Sequence, residues 1–209
     1  MKKLLLTAFI FAAAASFAGT GGYGVDKGQT RVGVYGGVSV PQDWKEDDSS
    51  SRYRATVPPG ETGFIAGAEM LNSITPIFAL GLDMGYANYG KKEFSDIANI
   101  TTSVLSIHAL GRLYLAPEKR ARIYVPFGAG VSHLSFTTET LNPLLFEGVT
   151  RSQTGFSCFA GLGFEFDLSR AWTAGVEGRY FYMPLDKDNF GDNSKFSSLN
   201  VLLKIGARF

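Results

Sequence analysis

The sequence lacks several features that mark other protein classes. Charged residues make up 19% of the 209-residue chain, against roughly 25% in soluble globular proteins. Cys158 is the only cysteine, so no disulfide can form within the chain, and we interpret it as a structural thiol. Beyond the first residues, no apolar run reaches the roughly 20 residues that a membrane-spanning helix needs. These absences exclude a disulfide-stapled domain and a bundle of membrane helices.

Strong net charge and metal-ligand clusters are also missing. The 20 basic and 19 acidic residues nearly cancel, which gives no sign of a nucleic-acid partner. Two histidines and one cysteine are too few for a typical zinc site, and the glycines do not open a helix as a phosphate-binding loop would. We therefore expect no cofactor, no metal and no nucleic acid.

The N-terminus reads as a targeting segment. Lys2 and Lys3 precede an apolar run over residues 4–15, and small residues lead to a plausible cut after Ala18. This order is typical of a secretory signal peptide. We expect a cleaved signal over residues 1–18, a short polar lead over residues 19–29 and a single domain over residues 30–209.

What the chain does contain is alternation of apolar and polar residues with a period of two, which runs to the last residue, Phe209. The same pattern predicts eight antiparallel strands, near residues 30–40, 62–71, 77–87, 104–115, 122–132, 155–167, 172–183 and 199–209. Pro126 falls inside the fifth strand and cannot donate a ladder hydrogen bond, so we expect a bulge or a register shift there.

The predicted connections alternate in length. Short turns follow the second, fourth and sixth strands, over residues 72–76, 116–121 and 168–171. Longer loops follow the first, third, fifth and seventh strands, over residues 41–61, 88–103, 133–154 and 184–198. In an antiparallel sheet this places all the short turns at one end and all the long loops at the other.

The two faces of the strands differ sharply in charge. One face carries no charged residue, while the other carries glycines and eleven charged residues: Arg31, Glu69, Asp83, Arg112, Arg122, Glu165, Asp167, Glu177, Arg179, Lys204 and Arg208. Glycine beside long charged side chains suits a narrow lumen, so we predict that the charged face points inward. The outward aromatic residues then form two belts, with Phe78, Phe166, Trp172 and Phe209 at the turn end, and Phe64, Tyr86, Phe156, Tyr180 and Tyr182 at the loop end.

Strands of this number, order and polarity resemble the small eight-stranded outer-membrane proteins of the OmpA/OmpX type. The resemblance implies an all-β fold, an eight-stranded antiparallel up-and-down transmembrane β-barrel in the bacterial outer membrane. It also implies that both termini are periplasmic and that the four long loops lie outside the cell. The terminal Phe209 resembles the assembly signal that the barrel-insertion machinery is thought to read on the last strand.

An eight-stranded lumen is about wide enough only to be filled by side chains. We therefore predict a plugging ionic network of Asp83, Arg112, Glu165, Glu177, Arg179 and Lys204, in which Glu177 and Lys204 are neighbours. His108 points to the same lumen, where we expect it to be hydrogen-bonded and assign it no role. The open alternative is a narrow, porin-like path for small solutes.

One segment suggests an enzyme, since His133, Ser135 and Glu147 could form a hydrolase triad. Their spacing resembles the outer-membrane lipid A deacylases, but Phe136 stands where that family has an asparagine, and the motif lies far from the C-terminus. We therefore predict a monomeric non-enzyme with no catalytic residues. Its role would be structural or surface interaction through the loops, with outer-membrane lipid and lipopolysaccharide around it and an unidentified extracellular ligand.

Overall fold

The computed structural model describes residues 24–42, 62–94, 98–140, 150–186 and 195–209. The predicted signal peptide, residues 1–18, lies outside these ranges, as do residues 19–23 of the lead and the centres of the four predicted loops. Within the described ranges, no helix is long and apolar enough to cross a membrane. The strands are β1 (Thr30–Gln42), β2 (Gly63–Thr75), β3 (Phe78–Phe94), β4 (Ala98–Tyr114), β5 (Ala121–Thr140), β6 (Thr150–Asp167), β7 (Trp172–Pro184) and β8 (Lys195–Arg208).

The eight strands form one closed barrel in sequence order, which confirms the predicted fold class. The last strand pairs with the first, from Arg31 opposite Arg208 to Gln42 opposite Ser197. Beyond β8, Phe209 N donates to Thr30 O at 2.9 Å, and Thr30 N donates to Phe209 O at 3.2 Å. Phe209 therefore lies in the closing ladder, at the same end of the barrel as the three short turns. We call this the turn end and the opposite end the loop end.

The assignment of the two faces is confirmed by burial. Ten of the eleven inward charged residues are buried, and the side chain of the eleventh, Lys204, is 8% exposed. The outer surface is apolar, with Leu203 70% exposed and Leu82 60% exposed. The predicted belt residues Phe64, Tyr86, Phe156, Phe166 and Tyr180 are among the exposed aromatic residues. A charged interior within an apolar exterior is the arrangement of a barrel that faces lipid.

The strands at the loop end are longer than predicted. β3 and β4 remain paired up to Phe94 opposite Ala98, so most of the predicted loop over residues 88–103 is strand. β5 continues to Thr140 and β6 begins at Thr150, which also shortens the predicted loop over residues 133–154. These extensions were missed because backbone pairing holds them, and a stretch beyond the lipid needs no apolar residue at every second position.

The extensions of β3 to β6 rise beyond the rest of the barrel. Among the described residues, the β2–β3 ladder ends at Phe64 opposite Asn88, and the β6–β7 ladder ends at Cys158 opposite Tyr182. The outermost parts of these four strands, residues 91–94, 98–101, 137–140 and 150–151, continue as a four-stranded sheet. We call this the projecting sheet.

The bulge expected at Pro126 is absent. Arg112 of β4 lies opposite Pro126 in an unbroken register. On the other side, Tyr124 pairs with Gly163 and Phe127 with Ala160, so the β5–β6 register is unchanged across a two-residue gap. The missing proline N–H removes the hydrogen bonds that would define the two intervening pairs, but it does not shift the strand. The prediction of a bulge was therefore wrong.

A candidate functional site inside the barrel

The inward charged residues form one connected network in the turn half of the lumen. Glu69 lies at its centre, 2.6 Å from Arg112 Nη2 and 2.5 Å from Lys204 Nζ. Lys204 Nζ is also 2.7 Å from Glu177, so the two residues expected to be neighbours are in contact. Basic and acidic side chains thus alternate across the lumen and along its axis.

The network continues to the loop side through Arg179. Its Nε lies 2.5 Å from Glu177 Oε1, and its Nη1 lies 3.0 Å from Asp83 Oδ1. On the turn side, Glu165 contacts three guanidinium groups, with Arg31 and Arg122 each at 2.5 Å and Arg112 at 3.3 Å. The three cations offset the unfavourable free energy of burying the Glu165 carboxylate.

The last layer lies at the turn end. Asp167 accepts hydrogen bonds from Arg122 and is 2.7 Å from Arg208 Nη2. The structure therefore brings together all six residues of the predicted network, and it adds five more inward charges: Arg31, Glu69, Arg122, Asp167 and Arg208. The sequence predicted that these five residues point inward. Whether they join the ionic network depends on which strand lies across the lumen.

Tyrosines complete the network, although they were not predicted from the sequence. Tyr124 donates to Glu177 Oε2 at 2.9 Å, and Tyr35 donates to Asp83 Oδ1 at 3.2 Å. The Arg112 guanidinium lies 4.2 Å from the centre of the Tyr124 ring, a cation–π contact. Both tyrosines share the inward parity of the charged residues, which is the signal that could have found them.

Glycines on neighbouring strands make room for these rings. A Cβ atom on Gly163 would lie 2.2 Å from the Tyr124 ring, and one on Gly67 would lie 2.4 Å from that of Tyr35. Gly128 has the same relation to Phe159, at 2.5 Å. These three inward glycines are therefore notches into which aromatic side chains of adjacent strands fit. A cavity beside Arg112 and Lys204 measures about 20 Å³, room for about one water molecule.

The loop half of the lumen is filled mainly by apolar side chains, with Ser39, Ser198 and Asn200 buried among them. Its buried cluster consists of Tyr35, Ile65, Ala87, Tyr89, Val104, Leu134, Phe136, Phe181, Met183, Leu185, Phe196 and Leu202. Within it the rings of Tyr89 and Phe196 meet edge to face, with their centres 5.3 Å apart. The hydroxyl of Tyr89 is satisfied by donating to Ser198 Oγ at 3.1 Å and by contact with Ser39. This cluster was not predicted from the sequence.

His108 lies where the two halves meet. Its Nε2 is 2.8 Å from Ser157 Oγ, which in turn is 2.7 Å from Ser132 Oγ. Its Nδ1 is 4.0 Å from Asp83 Oδ1. The ring meets Phe159 edge to face, with centres 5.2 Å apart. His108 is thus a buried, hydrogen-bonded residue of the lumen, and its serine and carboxylate neighbours are enclosed with it.

Two residues of the possible hydrolase triad, His133 and Ser135, do not point into the barrel. His133 is exposed on the outer face of β5, where its Nδ1 lies 2.8 Å from Thr154 Oγ1. Ser135 is on the same outer face and is opposite Ser152 in the ladder. Glu147 lies outside the described residues. In the parts of the chain that are described, no group of histidine, cysteine or carboxylate side chains could hold a metal ion.

Several solved structures share this architecture. OprG from Pseudomonas aeruginosa is 16% identical, with 90% of this chain and 98% of that one covered and a TM-score of 0.57. Neisserial surface protein A is 12% identical, with 88% of this chain and 100% of that one covered and a TM-score of 0.56. Ail, the attachment invasion locus protein of Yersinia pestis, crystallised with the heparin analogue sucrose octasulfate, is 16% identical, with 88% and 99% covered and a TM-score of 0.52.

At these identities the shared feature is the fold. Among curated protein sequences, none matches the chain significantly. The family described as outer membrane protein beta-barrel domain, however, matches residues 4–209. That match spans nearly the whole sequence, and its description agrees with the closed barrel, the inward charges and the apolar exterior. The chain belongs to the outer membrane protein β-barrel family.

Proposed function

We propose that this outer-membrane barrel is a surface-interaction protein whose lumen is plugged. The projecting sheet is the observation that carries the proposal, because four paired strands that continue beyond the rest of the barrel present an extended surface at the loop end. Extended strands of this kind can recognise partners through main-chain hydrogen bonds at an edge, with side chains adding specificity. In the outer membrane the loop end would face outward, and both termini would be periplasmic.

The plug is supported by the contents of the lumen. Eleven connected charges fill the turn half, and the apolar cluster around Phe181 and Leu202 fills the loop half. A path for small solutes would have to pass both layers. The expected result in a planar lipid bilayer is therefore no stable single-channel conductance from the wild-type protein. A steady conductance that rises in Glu177→Ala would support the porin-like alternative instead.

The surface role is tested by shortening the projecting sheet. Replacing residues 136–151 with Asn-Gly joins Ser135 to Ser152, which are opposite each other, through a two-residue turn that suits a hairpin. Cells that express the full chain should be retained on at least one of two coated surfaces, heparin and lipopolysaccharide. Heparin is chosen because the Ail structure holds an analogue of it. Cells with the shortened sheet should lose that retention.

The controls separate binding from folding. The shortened protein must still migrate differently on a cold gel before and after boiling, as closed outer-membrane barrels do. A second replacement of residues 45–57, in the first loop, tests whether retention depends on the sheet or on loops in general. Equal retention of full-length and shortened proteins would remove the surface role of the sheet and leave a structural one.

We assign no catalytic role to His133 and Ser135, which lie on the outer face of β5. Lipid A should be chemically unchanged after incubation with the purified protein.

We also infer that Phe209 serves the barrel-insertion machinery, since its backbone closes the ladder with Thr30. Deleting Phe209 should lower the amount of heat-modifiable protein in the outer membrane, while Phe209→Tyr, which keeps an aromatic end, should preserve it.

A further inference from the structure

The residues just before β1 lie across the turn end of the barrel. Gly24 N donates to Asp167 Oδ2 at 3.1 Å, and Arg208 Nη1 donates to Gly24 O at 2.7 Å. Val25 N donates to Pro117 O at 3.0 Å, in the turn between β4 and β5. Gly28 N donates to the carbonyl oxygen of Ser73 at 2.7 Å. This short segment is therefore tied to strand ends all around the barrel.

The segment has a buried side and an exposed side. Val25 is 4% exposed and packs in a cluster with the inward residues Leu71, Leu110 and Tyr114. Asp26 and Lys27 are exposed on the opposite side. An apolar residue pointing into the lumen and charged residues pointing to solvent are what a closing element at the end of a filled barrel requires.

Gly24 is needed for this path. Its φ of +111° lies in the region that favours glycine. A Cβ atom there would also approach Pro117 O to 2.9 Å. Any larger residue would have to lift the segment away from the β4–β5 turn, and with it the hydrogen bonds that Gly24 makes to Asp167 and Arg208.

We propose that residues 24–29 are a cap that seals the turn end of the lumen and latches the closed barrel. The latch arises because its anchors belong to strands that are distant in sequence. Asp167 ends β6 and Arg208 ends β8, and Arg208 comes next to the start of β1 only when β8 has paired with β1. The cap therefore forms last, on a closed barrel, and it isolates the ionic network from solvent at that end.

The test measures access of a reagent to the lumen. In a Cys158→Ser background, Leu71→Cys places a thiol beneath the cap, at a position that is 1% exposed. A membrane-impermeant maleimide should label it slowly in the otherwise unchanged protein. Gly24→Val and Val25→Asp should each raise the labelling rate about tenfold or more, because the reagent reaches the thiol only when the cap opens. Lys27→Ala, on the exposed side of the cap, should leave the rate unchanged.

A second thiol separates cap opening from general loosening. Leu202→Cys lies in the apolar cluster of the loop half, at a position that is 0% exposed, and it should stay unlabelled in every variant. Each protein is first shown to be folded by its heat-dependent gel mobility. Unchanged labelling of Leu71→Cys in both cap variants would overturn the proposal. Equal labelling of the two thiols would overturn it too, because the segment would then only contribute to overall stability.

Discussion

The two halves of the lumen solve the same packing problem in different ways. At the turn half, long charged side chains such as Arg112 and Glu69 fill the space and satisfy one another. At the loop half, Phe181, Leu134 and Leu202 fill it by apolar contact. The barrel wall is the same on both sides, a closed ladder of eight strands. The contents of the lumen are thus not dictated by the wall.

The difference between the halves lies in how tolerant each is of change. Apolar packing is non-directional, so truncating an apolar side chain lowers the free energy of unfolding in proportion to the volume of the cavity that it leaves. A buried ion is different, because removing one partner leaves the other with an uncompensated charge. We therefore expect the turn half to respond to single substitutions in a more all-or-none manner than the loop half.

The largest effect is expected for Arg112→Met. It leaves Glu69 and Glu165 without a guanidinium that lies 2.6 and 3.3 Å from them, and breaking a buried pair costs about 3–5 kcal/mol. The free energy of unfolding would be measured in urea, in lipid vesicles, from the fluorescence of the two tryptophans. Arg170→Met, at an exposed turn residue, is the control and should change it by less than about 0.5 kcal/mol. If Arg112→Met lowered the free energy of unfolding by less than about 1 kcal/mol, as expected for an exposed ion pair, the proposed difference between the two halves of the lumen would be contradicted.

Leu134→Ala tests the apolar half in the same assay. Leu134 is 0% exposed, and truncating a buried leucine costs about 2–5 kcal/mol. Arg112 lies opposite Pro126, eight positions from Leu134 along β5, or about 26 Å at the usual rise per residue. The two substitutions should therefore add, within about 0.5 kcal/mol. A larger coupling energy would show that the two halves are one cooperative core.

A smaller effect is expected where a ring fits a glycine notch. Gly163→Ala would place a Cβ atom 2.2 Å from the Tyr124 ring, and overpacking of this kind costs about 1–3 kcal/mol. Gly178→Ala is the matched control on the next strand, because no atom lies within 4 Å of the added Cβ. The difference between the unfolding free energies of the two variants in urea measures the effect of filling the notch. Equal free energies would mean that the Tyr124 ring moves aside freely.

The smallest effect is expected at the boundary of the two halves. Ser157→Ala removes the hydroxyl that contacts both His108 and Ser132, at 2.8 and 2.7 Å. A hydrogen bond of this type contributes about 0.5–1.5 kcal/mol, and the alanine keeps the packing. Ser157→Thr, which retains a hydroxyl, should recover part of the loss in the same urea assay. If Ser157→Ala lowered the free energy of unfolding as much as Arg112→Met does, Ser157 and His108 would have to be counted as part of the ionic network.

The sequence was sufficient to predict the barrel and its faces. Period-two alternation around Lys204 and Arg179 separated the charged side from the lipid side, because a membrane barrel imposes that rule on every residue in the bilayer. The lengths of β3 to β6 were not predictable in this way. Beyond the lipid the rule no longer applies, and stretches such as residues 91–94 resemble loop in sequence although they are paired with β4.

The partners within the lumen were harder to predict than its membership. Parity places Glu69 and Arg112 inside, but their contact joins strands that are not neighbours, and it depends on the stagger of the barrel. Sequence separation says nothing about that stagger. The glycine notches could have been predicted from the sequence. Gly163 and Tyr124 are both inward, and an aromatic ring needs a small residue beside it in so narrow a space.

The connected network also bears on how such a sequence can change over generations. Because Glu165 contacts three arginines and Glu69 bridges Arg112 and Lys204, a replacement at one position is acceptable only with a compensating replacement at another. The lipid side imposes no such pairing, and Leu203 could be exchanged for another apolar residue alone. We expect the inner face to drift in coordinated steps and the outer face to drift one residue at a time.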